Sequence, residues 1–345
     1  MEFVVNVLES YLRKYIEEVL VKSGLSEGSS KIIANTLIEA NLRGVDSHGV
    51  VNLPNYLRGI KGGSISKNPN YQIERRSNST AILDADDGAG QVATLKAMKL
   101  AREIARVDGV GLVGVKNSSH FGMAAYFAME ALKEDMIGMA LTQTDSRVVP
   151  FGAKEAYLGT NPIAFAIPAG DCYPLVLDMA TSVISWGKVI LAAKKKESIP
   201  SGLAIDGNGE VVTDPGKAVA LPPLGGAKGS GLAIVIDILS GILMGASFGI
   251  HINKGEDFSE PRKLAHLVGA IEISSFSDVE QFKQKVDQMI TEIKNLPRAP
   301  GFQEILLPGE KEFKTKEKRL KEGIPIPKEV FDELQGLEDC YIGAN

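Results

Sequence analysis

Four histidines occur in this 345-residue chain, His48, His120, His251 and His266, and two of them sit where a side chain could move a proton. His48 lies in Val45-Asp46-Ser47-His48-Gly49, and His120 in Asn117-Ser118-Ser119-His120-Phe121-Gly122. Both segments are short, polar and free of apolar periodicity. Imidazole titrates nearer neutral pH than any other unperturbed side chain, so a scarce histidine in a polar turn is a candidate general acid or base. His120 follows a predicted strand and Gly122 opens a predicted helix, a junction where α/β folds present functional side chains. Asp46 and Ser47 stand beside His48, and either could orient its ring. His251 and His266 have no such setting and read as structural or surface groups.

Three further segments could meet a ligand. Gly225-Gly226-Ala227-Lys228-Gly229-Ser230-Gly231 carries a lysine and precedes a predicted helix. Free N–H groups at a helix N-terminus attract anions, and Lys228 adds a point charge; the alternative is a plain turn with a solvated lysine. The order of residues is not that of a Walker A loop, which argues against phosphoryl transfer. Asp178-Met179-Ala180-Thr181 lies between a predicted strand and helix, where Thr181 or Ser182 could serve as a cap. Trp186 is the only tryptophan; it either lines a cofactor pocket or packs in the core. Gly109-Val110-Gly111-Leu112-Val113-Gly114 has the spacing G-x-G-x-x-G, but its glycines fall inside a predicted strand. A dinucleotide fingerprint needs them in the turn that opens a helix, so a Rossmann site is excluded.

The elements that must position these residues alternate. Apolar residues at i, i+3, i+4 spacing predict an amphipathic helix over 3–21, and Ser26 caps a second that ends near Gly44. Pro54 and Gly62-Gly63 break the chain toward an extended segment. Strands are predicted at 81–84, 111–115, 137–141, 163–167, 175–177 and 267–273. Helices are predicted at 92–107, 123–133, 182–196, 231–248 and 279–293, with Asp206-Gly207-Asn208-Gly209 as a turn. The last 45 residues are charged and partly helical. This is a mixed α/β chain.

Composition narrows the function classes. Apolar residues make up 44% and charged residues 23%, as in ordinary globular proteins. The net charge of −5 argues against nucleic-acid binding, which needs a basic surface. Lys194-Lys195-Lys196 is the one compact basic run and reads as a solvated helix end. Two cysteines, Cys172 and Cys340, fit a reducing cytoplasm and not a disulfide framework. No Cys/His spacing resembles a zinc site. Charged residues interrupt the N-terminus as a signal peptide. The apolar stretch 231–248 contains Asp237, Ser240, Gly241 and Gly245, and is expected to be a buried central helix and not a membrane span.

Read together, several ordered segments resemble one family. They are Asp46-Ser47-His48-Gly49 with Pro54 and Tyr56, the His120 segment, Pro150-Phe151-Gly152, and Gly159-Thr160-Asn161-Pro162. The series continues with Leu177 to Thr181, Trp186-Gly187-Lys188-Val189, Gly226 to Gly231, and Pro308-Gly309-Glu310. The chain is similar, from about residue 5 to 330, to the type-2 malate/L-lactate dehydrogenases, a family that includes L-sulfolactate and ureidoglycolate dehydrogenases.

The resemblance implies a non-Rossmann α/β fold of the L-sulfolactate dehydrogenase type that binds NAD or NADP. A helical terminal domain would comprise 1–71 with 300–345, and a cofactor-binding and dimerisation core 72–299. It implies a homodimer that transfers a hydride between nicotinamide and C2 of a small 2-hydroxy or 2-oxo acid. His120 matches the general acid/base, and Ser47 and His48 match positions beside nicotinamide and substrate. Thr144, Asp178, Met179, Ala180, Lys228, Pro308, Gly309 and Glu310 match cofactor positions. Tyr56 and Arg262 are expected at the substrate. One departure stands out: many members carry arginine four residues after the motif histidine, where this chain has Asn52. Either Arg43, Arg147 or Arg262 compensates, or the substrate is not malate. Malate or lactate leads, with ureidoglycolate as runner-up, hinted at by Thr142-Gln143-Thr144-Asp145. A nucleotide-binding protein that has lost turnover is the rival from outside enzymology, and a metal-dependent lyase or isomerase is disfavoured.

Overall fold

The expected N-terminal helix begins with a strand. Val4-Val5-Asn6-Val7 is dominated by β-branched residues, which favour the pleated backbone, and forms β1 (Val4–Val7), antiparallel to residues 324–327 near the other end of the chain. The computed structural model describes residues 4–255 and 257–337; Cys340 and Phe3, the first residue of the expected helix, lie outside them. The helix itself, α1 (Glu9–Lys22), buries Leu12, Ile16, Val19 and Leu20. It packs on α2 (Glu27–Leu42), where the Ser26 hydroxyl accepts from the Ser29 N–H as a cap. Pro54 does not break the chain. It sits in the first turn of α3 (Leu53–Gly62), where its missing N–H would have had no helical partner.

The middle of the chain builds β2 (Gln72–Arg75), β3 (Thr80–Asp84), α4 (Gly90–Asp108), β4 (Val110–Ser118), α5 (Ala124–Met129) and β5 (Met136–Thr142). Then come β6 (Ile163–Ile167), β7 (Leu175–Met179), α6 (Trp186–Lys195), β8 (Ala204–Ile205), β9 (Val211–Val212), α7 (Ala227–Ser240), β10 (Leu264–Glu272) and α8 (Val279–Lys294). The end adds α9 (Glu310–Glu322), β11 (Ile324–Pro327) and α10 (Lys328–Gln335). Seven strands form one sheet in the order β2-β3-β4-β10-β5-β6-β7. Only β3 and β4 run parallel; the other pairs are antiparallel. This is a mixed sheet and not a doubly wound one.

The glycine spacing around 109–114 has a packing cause. A Cβ on Gly111 would sit 2.1 Å from the Ala101 carbonyl oxygen of α4, so the glycine lets helix and strand approach closely. Alanines 93, 97, 101 and 105 on α4 are fully buried in the same contact.

Three other elements differ from expectation. The helix expected over 123–133 stops at Met129 and continues as a 3-10 turn to Glu134. The helix expected from Ser182 starts at Trp186. Neither Thr181 nor Ser182 caps it, because their hydroxyls donate to Thr160 O and Ile184 O. The helix expected over 231–248 starts at Ala227 and ends at Ser240, and it is not buried all round. Residues 227–244 are apolar and long enough to cross a membrane by length and composition. Asp237 and Ser240 are buried, while Ile234, Val235 and Ile238 on α7, with Ile242 and Leu243 just beyond it, are 42–59% exposed.

Both ends of the chain close over one apolar cluster that includes Ile16, Leu20, Ile33, Leu37, Leu53, Leu57 and Ile324. Each such side chain contributes about 1.5–3 kcal/mol by leaving water. A separate cluster of Val148, Leu158, Val189, Ile199, Leu221 and Ala233 supports α6 and α7.

Candidate active site

His120 stands two residues beyond β4, and His48 ends a 3-10 turn, Asp46–His48, that follows α2. The fold brings their rings together, centroids 5.8 Å apart. Tyr56 of α3 approaches from the other side, its hydroxyl 2.8 Å from Nδ1 of His120. Asn41 at the end of α2 braces the His48 turn by donating to Asp46 (2.6 Å) and accepting from the Val50 N–H (2.8 Å). Arg319 of α9 grips Asp46 with both terminal nitrogens (2.6 and 3.0 Å). Asp46 is therefore committed to the scaffold. Ser47 is the neighbour that orients His48, with Oγ 3.0 Å from Nδ1.

Composition and spacing place His266 among the structural or surface groups; it is fully buried, beneath the turn that carries His120. From β10 its two nitrogens reach Thr142 Oγ1 (2.6 Å) and Ser118 Oγ (2.9 Å). Its ring stacks on Phe121 at 4.7 Å. The residue after His120 is thus held by a side chain that also ties β4 to β5. Its scarcity was the one available signal.

Burial sets the protonation of this cluster. It pushes the His120 pKa well below the ordinary imidazole value, and the fields of His48, Arg262 and His266 lower it further. Burial also lowers His48 and takes His266 down to about 3. The same burial raises the Tyr56 phenol above its ordinary range, against the opposing field of Arg262. At neutral pH the three imidazoles are neutral and the phenol is protonated.

A charged cluster that sequence reasoning names only in part, through Arg147 and Arg262, flanks the histidines. Asp145, next to Thr144, forms ion pairs with two arginines: Oδ1 with Arg262 Nη2, and Oδ2 with Arg147 Nε at 3.0 Å. The Arg147 guanidinium lies over the Trp186 ring at 5.2 Å. Asp145 lies two residues before Arg147 in the chain, which could have marked it. Asn52 uses its amide to donate to Ser47 O at 2.8 Å, so it braces the turn and supplies no charge. Tyr56 is 5% exposed, and its hydroxyl faces His120 and not open solvent.

Of the other predicted residues Thr144 lines the cleft of His48 and His120, together with Phe121, Gly122, Gln143 and Thr160, whereas Pro308 and Glu310 line a second pocket with Cys172, Tyr173 and Lys294. Thr181 donates to Thr160 O through N (2.9 Å) and Oγ1 (3.0 Å), setting Asp178, Met179 and Ala180 beside it. Asp178 is solvent-accessible yet surrounded by protein, and burial raises its pKa to about 6. It accepts from the Ala125 N–H at 2.8 Å, next to the His120 turn. Leu224 N donates to Thr181 O at 2.8 Å, which brings up the glycine turn; Lys228 is exposed in the first turn of α7. Pro308 O accepts from Val176 N at 3.0 Å. Gly309 has φ 86°, and a Cβ there would lie 2.8 Å from Val176, so only glycine fits. Glu310 is occupied by Lys294 (2.5 Å), Lys314 (2.9 Å) and the Leu307 N–H (3.2 Å). These contacts offset its burial and hold its pKa at about 2; it braces the turn that presents Pro308. Among the described residues, no group of three His, Cys, Asp or Glu side chains could hold a metal ion.

Known proteins are similar to this chain over nearly its whole length. A sequence model described as malate/L-lactate dehydrogenase matches residues 7–335. A malate dehydrogenase of Pyrococcus abyssi is 44% identical, over 96% of this chain and 94% of the relative. A ureidoglycolate dehydrogenase (NAD(+)) of Escherichia coli is 38% identical, over 94% and 93%. The solved structure of a sulfolactate dehydrogenase from Methanocaldococcus jannaschii superposes with a TM-score of 0.91 at 41% identity, covering 98% of this chain and 97% of that one.

Proposed function

This chain belongs to the malate/L-lactate dehydrogenase family and is an oxidoreductase of the 2-hydroxy acid type, and from that premise we propose that it transfers a hydride between NAD or NADP and C2 of a 2-hydroxy or 2-oxo acid of the malate or lactate type. The observation that carries this proposal is the neutral His120 ring, anchored through Nδ1 on Tyr56, with its other edge toward the cleft that His48 and Thr144 also line.

Bound nicotinamide supplies the hydride acceptor or donor; the protein's task is to orient the acid and move one proton. In oxidation His120 Nε2 takes the proton of the substrate hydroxyl, and in reduction it returns one. The Tyr56 hydroxyl accepts from Nδ1–H, which leaves Nε2 bare as the base in oxidation; the imidazolium formed when Nε2 takes the proton, with Nδ1–H still held by Tyr56, is the acid in reduction. Ser47 fixes the His48 ring as the second wall of the site. Arg262, the charged side chain whose field reaches both His120 and Tyr56, is the carboxylate ligand, since a guanidinium grips a carboxylate through two parallel bonds.

The expected cofactor residues have the chemistry a dinucleotide needs. Thr144 offers a hydroxyl, and Asp178 an accessible carboxylate able to accept from a ribose hydroxyl. Met179, Ala180, Pro308 and Gly309 offer backbone and apolar surface. Lys228 adds a cation for phosphate at the glycine turn.

The exposed apolar face of α7 supports a homodimer, because monomers seldom leave contiguous aliphatic surface in water. The free thiol of Cys172 supports a reducing, cytoplasmic setting, and the net charge of −5 supports a protein without nucleic-acid partners. No membrane attachment is part of this proposal, since α7 ends at Ser240 with Asp237 buried.

A second reading, ureidoglycolate oxidation, draws support from Asp145, whose carboxylate could accept from a ureido N–H. Loss of reduced-cofactor absorbance with a 2-oxo acid supports the first reading, and NAD-dependent oxidation of ureidoglycolate alone supports the second.

A further inference from the structure

Resting on the dehydrogenase reading, we infer that His266 is a positioning residue for the proton transfer, aiming His120 through the two residues that bracket it, Ser118 and Phe121. The His266 ring is fully buried. Its Nε2 lies 2.9 Å from Ser118 Oγ, and its face stacks on Phe121 at 4.7 Å with the planes 12° apart. Its Nδ1 reaches across to β5, 2.6 Å from Thr142 Oγ1. Phe121 and Thr142 line the cleft together with His120. One side chain from β10 therefore holds two residues of the cleft wall and the end of the strand that carries the acid/base.

The partners of the ring fix its single proton. Thr142 Oγ1 donates to the Gln143 carbonyl at 3.0 Å, so toward His266 it accepts, and the proton sits on Nδ1. Nε2 is then bare and accepts from the Ser118 hydroxyl. Burial keeps the ring neutral, with its pKa down at about 3. Turning the ring would leave buried polar groups unpaired, which is costly. It therefore holds one orientation, and Phe121 is set by the face it offers.

The rest of the turn is tied elsewhere. Ser119 Oγ accepts from the Gly90 N–H at 2.9 Å and donates to Gly88 O at 3.2 Å, at the start of α4. Phe121 has no hydrogen-bonding side chain and takes its place by packing against Phe127 at 4.9 Å as well as His266. A shift of Phe121 carries the adjoining His120 with it. Misplacing a reacting group by about 1 Å can cost about 100-fold in rate.

The test measures kcat for 2-oxo acid reduction in the wild type, His266→Leu, His266→Gln and Ser118→Ala. His266→Leu removes both hydrogen bonds and the stacked ring, and kcat should fall by about 10- to 100-fold. Cofactor affinity, read by fluorescence titration, should stay near the wild-type value. His266→Gln restores a donor and an acceptor and should recover part of the loss. Ser118→Ala removes the Nε2 contact alone, and its kcat should fall by about tenfold; it carries the test should the leucine variant fail to fold. With four histidines in the chain, NMR of protein labelled with ¹⁵N-histidine reads the rings without turnover. His266 should show a protonated Nδ1 and a bare Nε2, and the His120 signals should move in His266→Leu and in Ser118→Ala. Unchanged kcat in both of those variants, His120 signals unmoved in both, or a His266→Gln variant no faster than His266→Leu overturns the positioning role and leaves the dehydrogenase reading intact. A wild type that reduces no 2-oxo acid and does not oxidise ureidoglycolate overturns the dehydrogenase reading and this inference with it.

Discussion

The Tyr56 hydroxyl lies 2.8 Å from Nδ1 of His120, on a ring that ordinary solvation would leave half protonated near pH 6.5 but that burial keeps neutral. The contact joins α3 of the terminal helices to the end of β4 in the central sheet. It fixes which nitrogen of His120 faces the cleft. A phenol oxygen that accepts from Nδ1–H would leave Nε2 free to take a proton and would hold the imidazolium that results.

Tyr56→Phe should therefore lower kcat by about 10- to 100-fold in either direction, because His120 loses the group that sets its tautomer. Cofactor affinity, measured by fluorescence titration, should stay near the wild-type value. Unchanged kcat would show that the hydroxyl is only a packing group.

The pH profile follows from the direction of the His120 shift. Oxidation needs the neutral ring, and a lowered pKa extends the neutral form to lower pH. The kcat/KM profile for oxidation should run flat through the ordinary histidine value of about 6.5 and fall only well below it. An inflection near that ordinary value would contradict the buried, neutral assignment.

His266 links stability to pH. Its pKa is about 3 when folded and about 6.5 when unfolded. Between those values the unfolded chain binds a proton that the folded chain refuses. Stability is then complete above the unfolded value and falls as pH drops toward the folded one, by up to about 1.4 kcal/mol per pH unit. His266→Gln keeps a donor and an acceptor for Ser118 and Thr142 and cannot titrate. Its Tm should fall less steeply with acid than the wild type's, though His48 and His120 keep part of the slope. Identical slopes would remove His266 from the account.

The exposed aliphatic face of α7 predicts an association that sedimentation velocity can read. The wild type should sediment as a dimer, and Ile238→Lys should shift it toward monomer by placing a charge in an apolar contact. A monomeric wild type would contradict the proposal.

The strong periodicities were legible in the sequence. The Ser26 cap, the strand expected over 111–115 and the helix expected over 92–107 appear within a few residues of where apolar spacing put them. The glycines of 109–114 were correctly set aside, because a strand cannot present a phosphate turn. What failed depended on partners distant in sequence. Residues 4–7 read equally as a helical turn until residues 324–327 offer a strand edge. The apolar sequence around α7 reads as a helix buried all round, and does not record that this chain leaves one of its faces exposed. At the site, His48 and His120 were marked by composition, whereas the roles of His266 and Asp145 come from contacts across more than 100 residues. No local pattern records such contacts.

The central claim is tested most directly by following the absorbance of NADH and NADPH with a series of 2-oxo acids, in the wild type and in His120→Ala. The account predicts consumption of one reduced cofactor by the wild type. It also predicts a loss of about 10²- to 10⁴-fold in kcat in His120→Ala, with cofactor binding retained. Turnover in His120→Ala close to the wild-type rate would contradict it, because the proton would then travel by another group.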